Sequence, residues 1–291
     1  AAEAVWKAGA AKEKITPAGP MWMAGYGARN HPSTGLLNDL WARALVLEDA
    51  RGERVALVSL DLVGIGRELA DPLTSELASK YGLDRAHVAI CCSHTHSGPV
   101  VGRNLHVMHY DLLDDEQKRL ADDYAIVLQK KIVDLVGRAI ADLKPAKLSF
   151  GHGTATFAVN RRNNKEADVA RLREEGKLVG PNDHDVPVLK ITDAAGKLTA
   201  ILFGYACHAT VLDGYDWSSD YPGFAASEVL YDESNAVVGI ATGDMGVGRD
   251  GQPTESFVRG MGLRGKYTFF AEGARGSPTK QLVEEVKLSD G

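Results

Sequence analysis

The sequence predicts an α/β fold, a layered mixed β-sheet core flanked by helices with a metal site at strand ends. Three observations carry that expectation. Strand-like and helix-like segments alternate along the chain as far as Gly239, after which the pattern degrades. The longest periodic stretch, 117–143, spaces Leu120, Tyr124, Val127, Leu128, Ile132, Leu135, Val136 and Ile140 as one face of an amphipathic helix. Two apolar runs lead directly into histidines, a common place for an α/β protein to hold an ion.

The elements follow in order. Segments 43–48 and 54–62 read as strands separated by the turn Asp49-Ala50-Arg51-Gly52, with Asp61 at the end of the second. Segment 69–81 has helical spacing and Gly82 as its stop, and 88–92 is a strand. Pro145 ends the long helix. Segment 148–159 alternates weakly, as a strand. The polar, Asn- and Gly-rich stretch 160–181 reads as a long loop over the site or a mobile excursion. Segments 186–192 and 198–208 form a strand pair joined by Asp193-Ala194-Ala195-Gly196. Asp220 precedes the helical-looking 224–231, where it caps the helix or supports the site. There is no internal repeat and no low-complexity tract.

Composition narrows the function classes. A chain of 291 residues with 44% apolar side chains can bury a large core as one big or two small domains. A formal charge of −6 without runs of like charge argues against a nucleic-acid partner. No segment approaches the roughly 18 uninterrupted apolar residues of a membrane span, which leaves peripheral membrane contact open. The start, Ala1-Ala2-Glu3-Ala4, has no basic or apolar leader character, so a signal peptide is expected to be absent or already removed. Three cysteines make no disulfide framework, and the neighbours Cys91 and Cys92 would strain to pair.

The chemistry concentrates in Cys91-Cys92-Ser93-His94-Thr95-His96-Ser97-Gly98-Pro99. On a strand, residues i and i+2 share a face, so His94 and His96 could aim at one point. Alone, such a pair is more often two solvated or hydrogen-bonded histidines at a strand end. Gly204-Tyr205-Ala206-Cys207-His208-Ala209-Thr210 brings a third imidazole to a strand end, and imidazoles from two strand ends plus a carboxylate satisfy zinc. Cys207 points to the opposite face and is expected in the core. Asp61 is a buried carboxylate in need of a histidine or a cation. Gly243-Asp244-Met245-Gly246 reads as a tight turn crossing near the site. Arg161 and Arg162 are ordinary loop charges unless the loop folds over the histidines, where one would polarise a carbonyl.

The ordered set of motifs resembles the neutral/alkaline ceramidase family, the zinc-dependent non-lysosomal amidases. It comprises Ala11-Lys12-Glu13-Lys14-Ile15-Thr16-Pro17, Met23-Ala24-Gly25-Tyr26-Gly27, Leu40 through Leu47, Asp61, His94 through Pro99, Asn160-Arg161, His208 and Asp220-Tyr221-Pro222-Gly223. The resemblance implies that His94 and His208 ligate Zn2+, that His96 relays protons beside the attacking water, and that Arg161 contacts the substrate carbonyl. Pro253-Thr254-Glu255-Ser256-Phe257 looks like the family segment whose glutamate ligates zinc, so Glu255 is the implied third ligand. Asp61, Asp220 and Asp244 would support the site from behind. Two departures stand out: only ten residues separate Asp244 from Glu255, and Gly276-Ser277-Pro278 lacks the tyrosine that the family supplies as a further ligand.

By this resemblance, residues 1–291 form a single catalytic domain, divergent or incomplete over 240–291 and without the immunoglobulin-like C-terminal domain of larger relatives. The implied activity is zinc-dependent hydrolysis of an N-acyl amide, ceramide to sphingosine plus fatty acid. Hydrolysis of another amide or ester, or a non-catalytic ligand-binding descendant, are the alternatives. The implied location is secreted or periplasmic after removal of a signal peptide, and otherwise cytoplasmic. The expected partner is a lipid or small-molecule amide.

Overall fold

In the computed structural model, residues 6–223 are described with their side chains, and Phe224 and five later strands by backbone alone. The elements are β1 (Trp6–Lys14), β2 (Gly35–Leu36), β3 (Trp41–Glu48), β4 (Arg54–Leu60), α1 (Arg67–Tyr81), β5 (Val88–Cys92), α2 (Asp115–Ala141) and β6 (Lys144–Thr154). They continue as α3 (Val169–Glu174), β7 (Asp185–Asp193), β8 (Leu198–Phe203), β9 (Asp216–Trp217) and α4 (Asp220–Phe224). The strands known by backbone are β10 (Glu228–Tyr231), β11 (Val237–Ala241), β12 (Met245–Val247), β13 (Pro253–Val258) and β14 (Gly262–Gly265). Two compact units result. The first comprises Ala1–Leu148, Ile191–Ala200 and Ala209–Phe224, and the second the remainder.

The first unit is a mixed sheet flanked by helices, as the alternation of segments predicts. Strand β3 lies between β1 and β4, antiparallel to both, and β4 pairs with β5 in parallel. Parallel neighbours need a crossover, and α1 supplies it. The far edge of β1 takes Lys144, Pro145 and Ala146 of β6. Helix α2 packs on β1 and β3, and α1 packs on α2. Gly9 lets α2 approach the sheet this closely, because a Cβ there would collide with the carbonyl of Ala139. The core joins Leu69, Leu73 and Leu77 of α1 to Leu128, Ile132, Leu135 and Val136 of α2 and to Val46, Val58 and Leu60 of the sheet. Each such side chain contributes about 1.5–3 kcal/mol by leaving water. Gly82 closes α1 in the left-handed conformation (φ 69°), and Asp114 caps α2 by accepting from Gln117 N. Among the described residues no helix is long and apolar enough to cross a membrane.

In the second unit, the later part of β6 pairs with β14, β14 with β11, and β11 with β10, all antiparallel. The stretch 160–181 has more internal structure than its composition predicts. Asn164 is buried and ties its two ends together, donating to the carbonyls of Asn160 and Val179 and accepting from Val179 N. The short helix α3 lies within it.

Four boundaries differ from expectation. Residues 6–14, to which the sequence reading assigns no element, carry one aromatic and no β-branched residue, and pairing with β3 nonetheless makes them the strand β1. Pro145 sits inside β6 rather than ending α2, which ends at Ala141 with Asp142 as its cap. β8 stops at Phe203, so His208 lies on a loop. Residues 228–231 form a strand, and the helix lies earlier, at Asp220–Phe224.

Candidate metal centre

Strand β5 ends at Cys92, and the chain then turns out of the sheet. Ser93 N donates to Leu60 O (2.9 Å) and His94 N to Leu62 O (3.0 Å). His94 adopts φ 63°, the left-handed region, at a cost of about 1–2 kcal/mol for a residue with a Cβ. His94 and His96 therefore meet through a turn rather than through strand alternation, with ring centroids 5.0 Å apart and planes at 72°. His94 Nδ1 lies 2.6 Å from Val63 O. A carbonyl only accepts, so Nδ1 carries the proton and the Nε2 lone pair is presented outward, the tautomer a metal requires.

His96 is buried, and its surroundings hold it in place. Thr95 Oγ1 donates to Ser218 O (2.7 Å) and accepts from Ser97 N (3.1 Å). The strand-like segment before Tyr26 lies against the ring: Ala24 N donates to Gly98 O (2.9 Å), and Gly25, at φ 102°, leaves no space between itself and the imidazole for a Cβ. Tyr26 meets His96 edge-on with centroids 4.7 Å apart. Gly25 N donates to Nε2 of the buried His109 (2.9 Å). Burial, and secondarily the Arg29 charge, lower the His109 pKa, so this ring is neutral.

His208 is exposed and one peptide bond from Ala209, whose carbonyl accepts the His96 N–H (3.3 Å). The ring nitrogens of His94, His96 and His208 lie within 4.8 Å of one another. Imidazole nitrogens are donors that zinc takes, so the residue types suit such an ion. The loop after His208 is anchored by the buried Asp220, whose carboxylate accepts from Val211 N (3.3 Å), Leu212 N (2.9 Å) and Tyr221 N (2.6 Å). Asp220 is itself left-handed, at φ 56°.

The other candidates are placed as follows. Asp61 takes a cation: its carboxylate accepts from Arg43 (2.9 Å) and Trp41 N (2.9 Å), and burial pushes its pKa up against the pull of Arg43. Burial pushes the Cys92 thiol up to about 12, which removes it as a thiolate at neutral pH. Cys207 is half-buried on the loop. Arg161 is half exposed and donates to Glu166 (2.6 Å). Glu255 lies on β13, of which the backbone alone is described, and Asp244 lies outside the described residues. Sequence reasoning missed Arg29 and His109, whose spacing gives no signal, and saw Gly25 as part of a motif without a reason.

Three imidazoles gathered at the edge of a mixed, helix-flanked sheet define a protein with a site able to hold a metal. Residues 6–244 match the family described as neutral/alkaline non-lysosomal ceramidase, N-terminal, and the chain belongs to that family. The crystal structure of neutral ceramidase from Pseudomonas aeruginosa is similar to it, with TM-score 0.63 and 27% identity over 77% of this chain and 35% of that one. A structure of ceramidase complexed with C2 gives TM-score 0.60 and 26% identity over the same shares. Curated relatives of another kind match locally. Electron transfer flavoprotein-ubiquinone oxidoreductases are 59% identical in Dictyostelium discoideum and 53% in Acinetobacter baylyi, each over 70 residues, 24% of this chain. The chain spans 12% of the length of those relatives.

Proposed function

We propose that this chain hydrolyses the amide bond of an N-acyl sphingoid base with zinc as its cofactor. The convergence of His94, His96 and His208 carries the reading, and membership of the ceramidase family supports the substrate class. His94 and His208 would hold the ion, with Glu255 added to the set on residue type. Bound zinc supplies a Lewis acid for a carbonyl oxygen and a lowered pKa for water. His96 accepts the proton that the attacking water loses and delivers it to the leaving amine. Its burial and its fixed ring keep that transfer aligned. Arg161 polarises the amide carbonyl. Its present bond to Glu166 is an exposed ion pair worth about 0–1 kcal/mol, a small barrier to release.

The test is metal content together with fatty-acid release from N-acylsphingosine. About one zinc per chain is expected, with hydrolysis lost on chelation and restored by zinc. Protein that takes up no metal after zinc supplementation, or hydrolyses at the same rate in chelator, would sink the reading. The oxidoreductase likeness favours no second function, because it covers 12% of those proteins.

A further inference from the structure

We infer that Arg29 is a positioning residue for this reaction, one that holds the backbone of His96 to the loop following His208. The inference rests on the hydrolase reading for its kinetic part. Its structural part stands by itself. The Arg29 guanidinium is buried, with one terminal nitrogen donating to His96 O (3.0 Å) and the other to Gly214 O (2.8 Å). It lies between two aromatic rings, 5.2 Å from the centroid of Tyr26 and 4.8 Å from that of Tyr215. Tyr26 carries the same link further, since its edge meets the His96 ring and its hydroxyl donates to Leu212 O (3.0 Å).

Among the described residues Arg29 forms no ion pair with a carboxylate, and its Nε finds no partner. Burying a guanidinium with no carboxylate in direct contact is costly, and burial lowers its pKa against the weaker opposing pull of Tyr215, Tyr26 and Asp213. The two carbonyls and the two ring faces offset that cost. A planar fork reaches the two carbonyls with two separate terminal nitrogens and offers a flat face to the rings, whereas an ammonium has a single nitrogen and no such face. The fork spans the turn that bears His96 and the segment that begins beside His208. It thereby fixes the relay with respect to the loop that Asp220 anchors.

The experiment compares the wild-type chain with R29K and R29A by amide hydrogen exchange without metal, and by steady-state kinetics with zinc. Exchange should accelerate together in residues 94–98 and 209–215 in both variants. Kinetically, kcat should fall about a hundredfold with KM within about twofold, the scale of a misplaced reacting group. Added guanidinium ion should restore part of the R29A rate, which a general loss of folding would not permit. Unchanged exchange in both segments, or an R29K enzyme as fast as wild type, overturns the inference. If R29A fails to fold, R29K decides on the same two measurements. If wild type hydrolyses no N-acyl substrate, the hydrolase reading fails, and exchange alone decides the role of Arg29.

Discussion

His94 Nδ1 donates to Val63 O across 2.6 Å, and this bond commits that nitrogen as a donor and leaves the Nε2 lone pair available to an ion. The carbonyl comes from the segment just after β4, the parallel neighbour of β5, so the sheet itself sets the tautomer.

The histidines should separate by phenotype. H94A and H208A are expected to lose zinc, whereas H96A keeps zinc and loses about a hundredfold or more in rate. Metal analysis beside kinetics checks this, and E255Q belongs in the same series, with lowered zinc affinity expected. Equal zinc loss in H96A would make His96 a ligand.

The two loop arginines should differ. R161A should keep its metal and lower kcat through lost carbonyl polarisation, while R162A should change little. If R162A proves the sensitive one, the role belongs to Arg162.

Gly25→Ala should destabilise the fold by more than about 1 kcal/mol and slow hydrolysis. The backbone there is at φ 102°, and the added methyl would enter the space of the His96 ring. Denaturant melts and kcat measure the two effects. A variant as stable and as fast as wild type would show that the contact is slack.

His109 should make stability depend on pH on the acid side. Its folded pKa is lowered by burial and by Arg29, while in the unfolded chain it titrates near 6.5. Between those values the unfolded state binds more protons, so stability is full above about 6.5 and is lost as pH falls towards the folded pKa. His109→Gln can still accept from Gly25 N but does not titrate, so the slope should flatten. Identical pH profiles for the two proteins would exclude this role.

Much of the architecture was legible because burial writes a period into sequence. Segment 88–92 is a strand with the expected bounds, α1 stops at Gly82, and of the expected apolar face α2 buries Leu128, Ile132, Leu135 and Val136 while Val127 is exposed. Local readings failed where distant partners decide. β1 is a strand because β3 lies beside it, and 228–231 pairs with β11 despite its helical look. The three histidines were visible as residue types near strand ends. The turn at His94 was hidden, since an imidazole at positive φ leaves no mark in composition. Arg29 was hidden for a related reason: both of its acceptors are backbone carbonyls, which every residue has.

The bond from His96 N–H to Ala209 O also orders events during synthesis. The His94 turn needs only Leu60, Leu62 and Val63, all made before it, whereas Ala209 follows more than a hundred residues later. At about 5–20 residues per second, several seconds to some twenty pass between them. The His94 imidazole is thus set by residues already made, whereas the His96 backbone gains its partner only when the segment after His208 has been translated, so the cluster is completed in two stages.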